Sequence, residues 1–93
     1  MKAIWQGVVL AESDKTIMVE GNHYFPPESI NRTYFDNSPL RTQCFWKGRA
    51  HYYDIHVGEE SNFAAAWHYP KPWILARNIR DHVAFWNGVK IIN

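Results

Sequence analysis

A chain of 93 residues with 46% hydrophobic content holds apolar surface for one core and too little for two, so residues 1–93 are expected to form a single domain. Ten basic and nine acidic side chains are interspersed to a net charge of +1, which leaves no Lys/Arg block for nucleic acid and no tract polar enough to stay disordered. One cysteine excludes an intramolecular disulfide and a Cys-rich zinc site.

From the N-terminus, residues 2–5 and 8–12 are β-prone around the turn pair Gln6-Gly7. Their apolar run is broken by Gln6, Gly7, Glu12 and Asp14, so it reads as folded protein and not as a leader. Nothing in the chain reaches bilayer-spanning length, and a soluble cytoplasmic protein is the expectation. "TIMVEG" (16–21) is a further strand, and "HYF" (23–25) continues an edge until Pro26-Pro27 stops ladder pairing. Pro27 and Glu28 suit the start of a short helix through "ESINRTYF".

After a turn at Asp36-Asn37-Ser38-Pro39, "LRTQCFW" and "GRAHYYDIHV" are strands flanking Lys47-Gly48. Alternation in the second puts Ala50, Tyr52, Asp54 and His56 on one face and His51, Tyr53, Ile55 and Val57 on the other. Gly58-Glu59-Glu60 closes it, and "SNFAAAWHY" (61–69) is the next strand. Spacing of Ile74, Leu75 and Ile79 predicts a short helix near 73–79. "HVAFW" and "VKII" around Asn87-Gly88 form the clearest hairpin signal. Trp-x-Gly recurs at Trp5, Trp46 and Trp86, which suggests rings packed beside tight turns, with Trp5 and Trp86 serving hairpin packing. The predicted class is mainly β.

The blocks "EGNHYFPPESI" (20–30), "CFWKGRAHYYD" (44–54), "WHYPKP" (67–72) and "RDHVAFW" (80–86) together resemble the family known as domain of unknown function 427. The likeness runs in order over essentially the whole chain. It implies a bacterial protein with small antiparallel sheets of the β-tent type and one or two short helices. That group is similar to methionine-R-sulfoxide reductases and to the thalidomide-binding domain of cereblon. Typical members read Cys-Pro-Trp-Lys-Gly where this chain has Cys44-Phe45-Trp46-Lys47-Gly48, so Phe45 restores a backbone donor in the loop that presents Lys47. The family is sometimes labelled nucleotidyltransferase-like, but no phosphate loop and no paired acids for magnesium occur here. Fold likeness supplies no reaction.

Three sets of residues carry candidate chemistry. Cys44 is a nucleophile or redox thiol if Lys47 stabilises its thiolate, and a small core hydrophobe otherwise. Glu20, Asn22 and Tyr24 alternate along "VEGNHYF" either into a concavity or along a solvated strand end; the resemblance favours the concavity. Trp46, Tyr52, Tyr53, Trp67 and Tyr69 are core rings or the walls of an aromatic site. The expected site therefore comprises Glu20, Asn22, Tyr24, Trp46, Lys47, Tyr53, Trp67 and Tyr69, binding a small molecule without metal or cofactor. A small enzyme using Cys44, or Glu20 as general acid/base with Lys47 as stabiliser, is the alternative. A third reading is an interaction module, homodimeric through a hairpin edge, with no nucleic-acid or membrane partner.

Overall fold

Local turn chemistry orders the strands. In the computed structural model, which describes residues 1–93, β1 (Lys2–Trp5) returns as β2 (Val8–Glu12) through Gln6-Gly7, whose φ angles are 51° and 72°. β3 (Ile17–Val19) and β4 (Asn22–Tyr24) are joined in the same way by Glu20-Gly21, at 52° and 82°. Paired positive φ values match the right-handed twist of antiparallel strands, which is why two residues suffice. Single 3-10 turns follow at Pro27–Ser29 and Arg32–Tyr34. Then come β5 (Phe35–Cys44), β6 (Gly48–Val57) and β7 (Glu60–His68), a 3-10 segment Ile74–Ile79, β8 (Val83–Phe85) and β9 (Lys90–Ile92).

These strands form three antiparallel sheets, β2-β1-β9, β3-β4 and β5-β6-β7-β8, and the fold is mainly β. The β3-β4 hairpin docks on the β8 edge, where Phe25 and Val83 exchange two backbone hydrogen bonds of 2.8 Å. That contact covers an edge that would otherwise be open. No helix is long and apolar enough to cross a membrane.

Because side chains alternate, consecutive residues serve two cores. Ala3 and Leu10 of the three-stranded sheet share a core with Phe25, next after β4, and with Ile55, Ala66, Val83 and Phe85 of the four-stranded sheet. Tyr24, Ala50, Tyr69 and Ala84 lie in a second cluster with Ala76 and Ile79 of the 3-10 segment. Phe25 and Phe85 meet edge to face at 5.6 Å, and each fully buried ring or branched chain contributes roughly 1.5–3 kcal/mol.

The structure corrects four sequence expectations. The helix through "ESINRTYF" is two separate 3-10 turns, because Ile30 and Asn31 between them are extended: Ile30 bridges Ala11, and the Asn31 N–H donates to the Leu10 carbonyl. Residues 36–39 are not a turn but part of β5, which absorbs Pro39 in an irregularity between Asn37 and Arg41. The helix near 73–79 is 3-10 throughout. Finally, Asn87-Gly88 does make a tight turn, but its flanks diverge. β8 pairs with β7 while β9 pairs with β1, so the turn passes the chain from one sheet to the other.

Candidate functional site

Lys47 is the buried charge of the fold, 7% exposed. It ends the three-residue loop Phe45-Trp46-Lys47 between Cys44 and Gly48, which face each other across β5 and β6. Gly48 has φ of 110°, and a Cβ there would lie 3.3 Å from the Lys71 carbonyl oxygen, so the close approach of residues 71–73 requires glycine. The Trp73 N–H donates to the Lys47 carbonyl at 3.1 Å and fixes that approach. Packing of the 71–73 segment thus locks the lysine backbone.

The Lys47 ammonium lies 5.5 Å from the Trp46 ring centroid and 5.7 Å from that of Tyr69. Its charge partner is the Glu20 carboxylate, which also accepts from Trp46 Nε1 at 3.4 Å. Burial alone would lower the lysine pKa, but Glu20 and the surrounding phenols outweigh it and the pKa is raised. The hydrogen bonds from Lys47 and then Trp46 hold the Glu20 carboxyl below its ordinary value. Both partners are therefore ionised across the neutral range. Behind them, Trp67 Nε1 donates to the Tyr24 hydroxyl at 3.1 Å, and the two rings meet edge to face at 6.3 Å. Burial pushes the Tyr24 phenol up, and it pushes Tyr69 up to about 12.

Glu20, Lys47, Trp46, Tyr24, Trp67 and Tyr69 thus gather at one place, with Cys44 and Tyr52 packed against the same cluster. Glu20 reaches it from the tip of a turn, not from the strand face that alternation with Asn22 and Tyr24 suggested. Asn22 pairs with Val19 at the base of that turn. Tyr53 lies elsewhere: it packs on Phe35 at 5.5 Å and stacks on His68 at 4.5 Å, because it is odd in the β6 alternation where Tyr52 is even. Cys44 is half-buried and makes no hydrogen bond. None of the three cavities of the molecule is lined by Lys47 or by the rings around it.

Two histidine arrangements were not visible as motifs. His56 accepts or donates through Nδ1 with Ser61 Oγ at 2.8 Å, and its Nε2 lies 3.2 Å from Asp36 Oδ2. This chain of serine, imidazole and carboxylate is solvent-facing, and none of the three cavities is lined by it. His51 and His68 face each other directly across β6 and β7, with centroids 5.7 Å apart. They are seventeen positions apart in sequence, so only strand register unites them. No group of three or more metal-ligating side chains occurs.

The chain belongs to the family described as a domain of unknown function (DUF427), whose model matches residues 1–92. No curated protein matches it.

Proposed function

We propose that this member of the DUF427 family is a small-ligand-binding domain whose site is the Lys47 ammonium and the aromatic rings around it. The observation that carries the reading is an asymmetry of burial. The Lys47 side chain is 8% exposed, whereas its carboxylate partner Glu20 is 52% exposed at the tip of a two-residue turn. A fixed, desolvated cation neutralised by a carboxylate that solvent can reach is suited to exchange that carboxylate for one on a ligand. Trp46 and Tyr69 would then flank the incoming group, with Trp67 and Tyr24 behind them as fixed walls and Asn22 at the base of the moving turn. No cavity opens on Lys47, so entry requires Glu20 to swing outward with Gly21.

The raised Lys47 pKa and the lowered Glu20 pKa favour binding over catalysis, since neither group exchanges protons near neutrality. Small aromatic carboxylates such as benzoate are the natural probes, read by Trp46 fluorescence and thermal shift. Glu20→Gln removes the internal competitor and is expected to tighten binding, while Lys47→Met abolishes it. Failure of every carboxylate to bind both the native chain and Glu20→Gln would overturn the proposal.

A further inference from the structure

We infer that the opposite face of the four-stranded sheet carries a second site, built for a phosphate ester. Strand register assembles it. Arg41, His51 and His68 stand directly opposite one another across β5, β6 and β7, so their side chains share one face. Arg49 lies two residues from His51 and faces the same way, opposite Gln43. Arg49, His51, Pro70 and Lys71 line a cavity of about 370 Å³, within the range that takes a small ligand. Farther along the same face, Arg32 donates to the Tyr53 hydroxyl at 3.1 Å while Tyr53 stacks on His68.

This face collects cations without neutralising them. The ion pairs of the molecule are Lys47–Glu20, His56–Asp36 and Arg80–Asp81, so Arg32, Arg41, Arg49 and Lys71 have no carboxylate partner. Arg41 donates only to the Ser38 and Leu40 carbonyls, and Arg49 and Lys71 make no side-chain hydrogen bond at all. Like charges gathered around a concavity repel one another, and their cost is recovered when a multivalent anion enters. His68 Nδ1, buried and without a hydrogen-bond partner, lies beside His51 in the same row. The one acid whose charge acts on this row is Asp81, which raises the His68 pKa against the other influences and is itself paired to Arg80. Arginine forks and a lysine at a cavity match the oxygens of a phosphate group better than a single carboxylate. Tyr52 and Trp67, the neighbours of His51 and His68 in the chain, point to the other face, so this site is independent of the Lys47 reading.

The test titrates pyrophosphate into the whole chain and follows the imidazole signals of His51 and His68 by NMR. Saturable shifts at both rings, with the Trp46 indole unmoved, are expected. Arg49→Gln combined with Lys71→Gln should weaken binding about tenfold or more, because both side chains are exposed and each supplies a charge-assisted contact. Lys15→Gln, remote from the cavity, should leave affinity unchanged. A non-saturating response, or a double variant that binds like the native chain, overturns the site. Glycerol phosphate and single-stranded oligonucleotides of increasing length then separate the sources of the phosphate. Affinity independent of length supports a small ester, and affinity that climbs with length overturns it in favour of a polymer backbone.

Discussion

Glu20 and Lys47 are unequal members of one ion pair, and removing either has a different cost. Glu20→Gln leaves an ammonium buried between rings without a counter-charge, whereas Lys47→Met leaves a carboxylate that solvent can hydrate. Urea denaturation of both variants should therefore show the larger loss for Glu20→Gln, with Lys47→Met in the Glu20→Gln background recovering part of it. The sign with pH follows from the lowered Glu20 value: its stabilisation is present above the unfolded carboxylate pKa and lost as pH falls through the folded one. A second expectation concerns Cys44. It is half-buried, packed against the Tyr24 and Tyr69 cluster, and makes no hydrogen bond. Alkylation by iodoacetamide should be much slower in the native chain than in the unfolded one; equal rates would reopen a nucleophilic role for the thiol. At this scale the sequence was informative where short turns bring residues together. Glu20 and Lys47 were legible as candidate partners, but their meeting depends on the docking of one hairpin against another. Tyr53 lies on the other face of β6 from the Lys47 cluster, which aromatic type alone does not tell.

Among the elements, two backbone positions test how the strands are held. Gly48→Ala places a methyl against the Lys71 carbonyl at a φ of 110°, so it should cost about 1–3 kcal/mol in urea titration and disturb the Lys47 loop. Ala64 has φ of 54°, the left-handed region, within the irregular pairing of β6 and β7. Its N–H donates to Asp54 Oδ1 at 2.7 Å and its carbonyl accepts from Trp86 Nε1 at 2.6 Å, which holds the bulge. Ala64→Gly should be neutral or stabilising by up to about 1 kcal/mol, whereas Asp54→Ala should destabilise by about 1–2 kcal/mol. Strand existence was readable because tight turns carry their own residue types, as at Gln6-Gly7. The Ala triplet gave no hint of a bulge, since its φ is imposed by Asp54 and Trp86 from outside. Likewise Asn87-Gly88 specifies a turn but not the partners of the strands beside it.

Across the whole molecule, acid should weaken the fold through His68. Burial first, then His51, lowers its pKa from 6.5 to about 4; Arg32 and Arg41 act in the same direction and Asp81 against them. The unfolded chain thus takes up this proton first, so stability is full above about pH 6.5 and declines toward pH 4. Such a shift has a ceiling of about 3 kcal/mol, which partial solvent contact reduces to about 1–2 kcal/mol. His68→Phe keeps the ring against Tyr53 and should flatten the stability profile between pH 7 and 5. An unchanged slope would assign the acid sensitivity to other groups. The even spread of charge along the chain hid the cationic face, because Arg41 nears Arg49 only through the pairing of β5 with β6, and Lys71 meets Arg49 only at the cavity.

Strand β6 sends Arg49 and His51 to one face and Ala50 and Tyr52 to the other. Its letters can therefore drift almost independently in two interleaved sets, while its length cannot. One residue gained or lost upstream of Arg49 would exchange the two sets at a stroke, putting arginine into the core and alanine over the cavity. Descendants of this chain are free to change what either face recognises by substitution, but they inherit the spacing of β6 as a single indivisible unit.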